Sequence, residues 1–225
     1  MPARLHAGAP AGLALKQLKL PSFCRNASGP IVVAIEGPNG AGKTTLTRGL
    51  SRRLKAARCL GTDEAWFAEQ FKTRMIRDAD WFASAMFFLS GCFEQMRLLQ
   101  QKDNPLVIMD RCLWSTLAVH GAEDLSRLQA LLAMLRPIAS EIPVPHLTLV
   151  LEASFATCRS RIAKKKSARA RALDRLTANP KFHAREMDFY GWLGAQAPGV
   201  IFLCVDKANE KEVADKAVAL IKGGL

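Results

Sequence analysis

The chain has 225 residues, of which 23% are charged and 49% hydrophobic, and it carries a net charge of +12 at neutral pH. This composition is typical of one globular domain with a substantial core, and no stretch reaches the roughly 18 apolar residues of a membrane-spanning helix. The six cysteines lack the paired spacing of a zinc site or a disulfide framework, which argues against a secreted, disulfide-bonded domain and predicts a cytoplasmic protein with reduced thiols.

The predicted elements alternate between strands and helices along most of the chain. Residues 1–29 show no clear hydrophobic period and contain several prolines, so we expect a flexible extension before a domain at residues 30–225. The extension also lacks acidic residues, which keeps organellar targeting as a minor alternative to a cytoplasmic location.

Strands are predicted at 31–36, 105–110, 146–152 and 199–205, and helices at 44–57, 64–80, 81–102, 123–136, from 154 onward, at 181–195 and at 209–222. This alternation predicts an α/β fold with a parallel sheet covered on both faces.

The segment between the first strand and the first helix has the pattern GxxxxGK[ST] of a phosphate-binding loop. Its residues are Gly37, Pro38, Asn39, Gly40, Ala41, Gly42, Lys43 and Thr44, followed by Thr45. Glycines let such a loop turn its N–H groups inward, and the helix that follows presents its positive end to the same anion. Lys43 can reach the β- and γ-phosphates, and the Thr44 hydroxyl can coordinate Mg²⁺. The loop therefore predicts a site for ATP and Mg²⁺.

The same P-loop sequence also occurs in transport ATPases, so the motif predicts nucleotide binding but does not identify the reaction. Residues 89–91 and the strand that ends at Asp110 imitate the signature and Walker B motifs of those proteins. However, Cys92 and Phe93 stand where Gly-Gln would be required, and Arg111 stands where a catalytic Glu would follow Asp110. These differences disfavour a transport ATPase.

Two further features are suited to handling anions. Asp110 and Arg111 end an apolar strand, at the sheet edge where ligands of open α/β folds bind, so the carboxylate can hold a metal and the guanidinium can clamp a phosphate. Residues 156–185 contain ten basic residues and one acid. This segment has no aromatic residue before Phe182, which favours a small-molecule partner over nucleic acid bound by base stacking.

An ordered series of motifs resembles the thymidylate kinase family over about residues 31–222. The matching stretches are 35–45 (the P-loop opening), 110–118 (D-R-Y-x-x-S-S/N-x-A), 159–163 (E-R-I-A-K-R), 174–175 (D-R-F-E, which closes the lid) and 182–190 (F-H-x-R-V-R-x-x-Y). The resemblance implies the P-loop kinase fold, with three layers, a five-stranded parallel sheet and a short basic lid at about 160–178. It places the fifth strand near residues 58–61, and it also implies a homodimer.

The resemblance assigns chemistry to particular residues. It implies that Lys43 and Arg111 act on the transferred phosphoryl group, with Arg161 and Arg175 of the lid closing over it, and that Asp110 joins Thr44 at the metal. The predicted function is ATP-dependent phosphoryl transfer to a nucleoside monophosphate, a pyrimidine one such as dTMP. The partner is thus a small nucleotide acceptor.

The departures from the family concentrate on the acceptor side. Asn39 stands where the family has Asp or Glu for the sugar hydroxyl, Cys112 replaces the tyrosine of D-R-Y, and Val119 replaces a tyrosine associated with rejecting ribose. Phe93 stands near the place of the base-binding arginine, with Arg97 one turn later, so we expect a base stacked on Phe93. The expected acceptor-binding residues are Asn39, Phe93, Arg97, Ser115 and Thr116, with Arg74 and Arg77 as substitute phosphate binders.

Two other functions stay open on the sequence alone. One is a kinase acting on a hydroxyl of a nucleoside or another metabolite, which would need a general base; Glu36, Asp63 and Glu64 are the available carboxylates. The other is a regulatory or nucleic-acid-linked P-loop ATPase. An ADP-release assay with a panel of nucleoside monophosphates and nucleosides, and with nucleic acid, would separate both from the monophosphate kinase.

Overall fold

A computed structural model describes residues 11–25, 29–60, 69–99, 104–164 and 178–224. The strands are β1 (Cys24–Arg25), β2 (Ile31–Glu36), β3 (Ala57–Leu60), β4 (Leu106–Asp110), β5 (Pro143–Val144), β6 (Leu147–Glu152) and β7 (Val200–Cys204). The helices are α1 (Ala11–Lys16), α2 (Lys43–Leu54), α3 (Glu69–Arg77), α4 (Trp81–Leu99), α5 (Leu113–Glu123), α6 (Leu125–Leu135), α7 (Phe155–Ala163), α8 (Pro180–Gln196), α9 (Glu210–Gly224) and a 3₁₀ helix (Arg136–Glu141). Within these ranges, no helix has both the length and the apolarity needed to cross a bilayer.

The main sheet has five strands in the order β3-β4-β2-β6-β7, and every neighbouring pair is parallel. The predicted five-stranded parallel sheet is therefore confirmed, including the edge strand β3. The strand that leads into the P-loop, β2, lies at the centre, and Ile35 is the register partner of Asp110 on β4. Because parallel strands end at the same edge, the P-loop and Asp110 meet there.

Alternate residues of the central strands face two separate apolar clusters, as the two-residue period of a strand requires. Val32 and Ala34 face the first cluster, which includes buried leucines of α4, α5, α6 and α8. Val33 and Ile35 face the second cluster, which is completed by α2 and α9. The sheet is thus buried on both faces, which explains why its strands are continuous apolar runs.

The region after β4 differs from the prediction of one helix over residues 123–136. Two helices are present, α5 and α6, and Asp124 separates them with extended backbone while its side chain accepts a hydrogen bond from the Ser126 N–H. Nearly all of α5 is buried, so the sequence lacks the one-sided apolar period that reveals a helix. Helical structure continues past Pro137, because this proline lies at the start of the 3₁₀ helix, where a missing N–H is tolerated.

Residues 11–25, which the sequence predicts to be part of a flexible extension, pack against α8 and β5. The carbonyl of Leu18 accepts hydrogen bonds from Trp192 Nε1 (3.2 Å) and Gln196 Nε2 (2.8 Å). Leu15 is buried in the first apolar cluster, and β1 pairs in parallel with β5. A sequence pattern could not reveal this packing because the segment is too short to show a period.

Candidate active site

The P-loop takes a shape that only glycine permits at two of its positions. Gly37 and Gly40 have φ values of 121° and 89°, in the left-handed region. A Cβ atom on Gly37 would lie 2.5 Å from the Leu151 carbonyl oxygen, and one on Gly40 would lie 2.5 Å from the carbonyl oxygen of Cys158. The loop therefore packs tightly against β6 and α7, and α2 begins directly after it at Lys43. This is the anion-binding geometry that the motif predicts.

Lys43 is folded back into its own loop. Its Nζ donates hydrogen bonds to the carbonyl oxygens of Gly37 and Pro38, each at 2.6 Å, and the side chain is buried. Burial, and then the nearby Arg111 guanidinium, lower the pKa of Lys43 to about 7. An anion bound next to Lys43 would favour the charged ammonium form of its side chain.

Thr44 and Asp110 are in direct contact across the sheet edge. The Thr44 hydroxyl donates to Asp110 Oδ2 at 2.6 Å. A hydroxyl and a carboxylate oxygen at one place fit Mg²⁺, which binds through one or two protein oxygens together with substrate phosphates. The described residues contain no group of three or more His, Cys, Asp or Glu side chains suited to a metal, so a metal held mainly by protein ligands is not found there. When bound, Mg²⁺ would neutralise charge on the β- and γ-phosphates.

Arg111 links the P-loop to α5. Its φ of 72° is unusual for a residue other than glycine, and its backbone N–H donates to the Ile35 carbonyl at 3.1 Å. The guanidinium donates to Ser115 Oγ at 2.9 Å and to Asn39 Oδ1. A strained backbone that is fixed from both sides is typical of a functional position.

Beside this arginine lies a fully buried carboxylate, Glu36. It accepts hydrogen bonds from the Cys112 N–H at 2.7 Å, from the Ser115 hydroxyl, and from the Tyr190 hydroxyl at 2.9 Å. Burial and the Glu36 charge raise the pKa of Tyr190 well above its ordinary value, so this phenol stays protonated and donates. Glu36 therefore fixes the start of α5 and is not free to act as the general base considered for a hydroxyl kinase.

A second buried carboxylate, Glu186 on α8, was not expected from the sequence. It is 2% exposed, and its Oε1 has no hydrogen-bond partner among the described residues. Burial raises the pKa of Glu186, and the positive charges of Lys43 and Arg111 oppose that shift. One sequence signal could have drawn attention to Glu186: it stands where the F-H-x-R-V-R-x-x-Y pattern of the family has an apolar valine.

Two cavities flank the P-loop. The donor-side cavity has a volume of ≈ 690 Å³ and is lined by Gly40, Gly42, Thr45, Arg161 and Val205, among others. The guanidinium of Arg161 donates to the carbonyl oxygens of Ala41 (2.9 Å) and Val205 (3.2 Å), so it ties α7 to the loop and to the end of β7. Arg161 thus lies at the predicted donor site. Arg175 and most of the predicted lid lie outside the described residues, as do Asp63 and Glu64.

The acceptor-side cavity has a volume of ≈ 260 Å³ and lies between α3, α4, α5 and α6. Three expected acceptor residues line it near the P-loop: Asn39, Ser115 and Thr116, together with Arg111. The rest of its wall includes residues that sequence reasoning did not single out for this role: Met75, Trp81, Ser84, Phe88, His120, Glu123 and Arg127. No motif marks these side chains, because four different helices supply them.

Two expected acceptor residues are not brought to this cavity. Phe93 packs against the first apolar cluster, so stacking of a base on it has no support in this arrangement. Arg97 pairs with Glu94 on the same helix, and its side chain is 55% exposed. Of the substitute phosphate binders, Arg77 lines the cavity but pairs with Asp78, and Arg74 does not line it.

Comparisons with known proteins agree with the observed fold. A family model described as Thymidylate kinase matches residues 35–191, more than two thirds of the chain. No curated protein sequence matches the chain significantly. The chain is similar to the solved structure of deoxyadenosine kinase from M. mycoides with bound dATP (17% identity, TM-score 0.67, covering 85% of this chain and 99% of that one). It is also similar to thymidylate kinase from Candida albicans (19% identity, TM-score 0.64, covering 88% and 93%). At these identities, the structural similarity shows the fold.

Proposed function

The chain belongs to the thymidylate kinase family, and from that premise we propose that it transfers the γ-phosphoryl group of Mg·ATP to a nucleoside monophosphate, with a pyrimidine monophosphate as the preferred acceptor. The observation that carries this proposal is the position of Arg111. It follows Asp110, which contacts the P-loop threonine, and it also lines the acceptor-side cavity. One guanidinium therefore contacts the P-loop and also lines the acceptor-side cavity, which supports a role between donor and acceptor.

The reaction needs charge neutralisation and alignment more than covalent chemistry. In the proposed mechanism, the loop amides and Lys43 bind the donor phosphates, Thr44 and Asp110 hold the metal, and Arg111 holds the acceptor phosphate in line with the γ-phosphoryl group. Arg161 and the lid arginine Arg175 would cover the donor and help exclude water. Negative charge that develops in the transition state would then be stabilised by cations that are already in place.

The size and walls of the acceptor-side cavity support a pyrimidine. The cavity is much smaller than the donor-side cavity, and Trp81, Phe88 and Val119 give it apolar surfaces. Flat aromatic walls suit a planar base, and a small volume favours one ring over two. The family's own acceptor, dTMP, falls in this class, but the base-contacting positions differ from the family pattern.

The state of Glu36 removes one of the three carboxylates considered as a general base for a nucleoside hydroxyl. Phosphorylation of a hydroxyl benefits from a carboxylate that accepts its proton. Glu36 already accepts hydrogen bonds from the Cys112 N–H and the hydroxyls of Ser115 and Tyr190. A monophosphate acceptor needs no such base, because its phosphate oxygen is already ionised.

An acceptor panel tests the proposed function. ADP release would be measured with ATP and Mg²⁺ alone, and then with added nucleoside monophosphates, nucleosides or single-stranded DNA. We expect stimulation by a pyrimidine monophosphate and none by nucleosides or DNA. Turnover that DNA stimulates and no monophosphate does would contradict the proposal and support a nucleic-acid-linked ATPase.

A further inference from the structure

The far end of the acceptor-side cavity, away from the P-loop, has its own set of polar groups. Thr116, His120 and Glu123 follow one another at four- and three-residue spacing on one face of α5, and all three line the cavity. The helix rise places Glu123 about 10 Å along the axis from Thr116. Thr116 neighbours Ser115, which bonds Arg111. If phosphate lies at Arg111, the Glu123 end of the cavity is where the base lies.

At this end, Glu123 forms an ion pair with Arg127 of α6 (Nη1–Oε2 distance 2.5 Å). Their side chains are 24% and 28% exposed, and both face the cavity. The Arg127 guanidinium also lies over the Trp81 ring, 5.5 Å from its centroid, which restrains its plane. A partly buried pair that is held in a fixed position and lines a cavity is placed to make charge-assisted hydrogen bonds to a ligand.

His120 lies between this pair and the catalytic end. It is 5% exposed, its ring centroid lies 6.2 Å from that of Trp81 in an edge-to-face arrangement, and no described group bonds its Nδ1. Burial, and then the charge of Arg127, lower the pKa of His120 to about 4, so the ring is neutral at neutral pH. This end of the cavity therefore holds one balanced ion pair and an uncharged ring. Such surroundings suit an uncharged base and not a second phosphate.

The hydrogen-bonding pattern of the pair selects among bases. A carboxylate only accepts, and a guanidinium only donates, in a planar fork. With one nitrogen of Arg127 bound to Glu123, the pair presents neighbouring donors followed by an acceptor. Cytosine presents the complement, two neighbouring acceptors (O2 and N3) followed by an amino donor. Thymine and uracil alternate acceptor, donor and acceptor, so they match only in part. We propose that the Glu123–Arg127 pair recognises the acceptor base and selects cytosine.

This inference rests on the proposed function, and its test separates the two. The affinities of dCMP, dTMP and dAMP would be measured by calorimetry, and ADP release would be measured with the same three acceptors. We expect dCMP to bind at least about tenfold more tightly than dTMP, the scale of discrimination that a bidentate base contact gives. In Glu123→Gln, the amide can also donate to the thymine O4, so the preference should narrow to within about threefold.

The matched control is Glu94→Gln, which makes the same chemical change in the Glu94–Arg97 pair outside the cavity. It should keep the wild-type preference. Preferential dCMP binding that Glu123→Gln abolishes, without turnover, would sustain the base assignment and contradict the proposed reaction. Turnover with dTMP or dAMP bound as tightly as dCMP, or a Glu123→Gln effect that is equal for all three acceptors, would overturn the assignment alone. No binding of any monophosphate would overturn both.

Discussion

The donor and acceptor sides of the cleft are built in different ways. Backbone conformation forms the donor side: three glycines with positive φ, carbonyls that hold Lys43, and a helix that begins at the loop. Side chains from separate helices form the acceptor side, among them Trp81 and Arg127. A site made of backbone is specified by a short run of sequence, whereas a site made of side chains depends on how helices pack. This difference predicts that donor-side changes lower turnover with every acceptor and that acceptor-side changes alter which acceptor is used.

The largest effect is expected at Lys43. Lys43→Ala removes the buried ammonium beside the donor phosphates, so ADP release should fall about 10³-fold, by the same factor for every acceptor. Steady-state rates with two different monophosphates would measure this. Lys216→Ala, an exposed lysine of α9, is the matched control and should be unchanged. Full activity in Lys43→Ala would remove the donor-site assignment.

Arg111 lies where the two sides meet, so its loss should affect the chemical step more than ATP binding. Arg111→Ala is expected to lower kcat about 10²-fold and to change ATP affinity less than about threefold. Rates and calorimetry on one preparation would separate these effects. Arg97→Ala serves as the control, because Arg97 is exposed and paired with Glu94. A large kcat loss in Arg97→Ala would contradict the placement of the acceptor site.

A smaller effect is expected from Asp110→Asn. The amide keeps the contact with the Thr44 hydroxyl but loses the charge that favours a divalent cation, so the Mg²⁺ concentration for half-maximal turnover should rise about tenfold. A magnesium titration of ADP release measures this. The exposed Asp188→Asn on α8 provides the comparison. An unchanged magnesium requirement in Asp110→Asn would mean that the metal is held elsewhere.

The smallest effect is on stability and is expected at Glu186, the buried carboxylate near Lys43 and Arg111. Its pKa is higher in the folded protein than the ordinary value of 4.5, so folding favours the neutral acid. The associated stability is present below pH 4.5 and is lost as the pH rises through the folded pKa. Glu186→Gln should therefore have a higher Tm than wild type at alkaline pH, with the difference shrinking toward acid pH. The exposed Glu152→Gln should show no such trend, and a wild-type Tm advantage for Glu186 at high pH would contradict the account.

Much of the donor side could be predicted from the sequence because its signals are local. The P-loop pattern lies between an apolar strand and a helix, and the parallel sheet follows from alternating elements, with β3 added from the family resemblance. The contact between Thr44 and Asp110 also follows, because the P-loop that leads to Thr44 leaves the end of β2 and Asp110 ends the neighbouring parallel strand β4. In each case, a short run of residues determines the geometry.

Only the P-loop end of the acceptor side could be predicted, where Asn39, Ser115 and Thr116 line the cavity. Phe93 was expected at the base from the motif order, but α4 turns it into the apolar core, and Trp81 lines the cavity from the first turn of the same helix. The helix α5 was missed because burial on almost every side removes its period. Glu186 was missed because its role depends on proximity to Lys43 and Arg111, which are far away in sequence.

The central claim is that the cleft transfers a phosphoryl group between two nucleotides. Phosphorus NMR of a reaction containing ATP, Mg²⁺ and dCMP tests it most directly, because each product has distinct phosphate resonances. The account predicts that the β-phosphate signal of dCDP appears as ATP is converted to ADP, and that Lys43→Ala produces neither signal. Conversion of ATP to ADP with inorganic phosphate as the sole other product, across all the monophosphates, would contradict it.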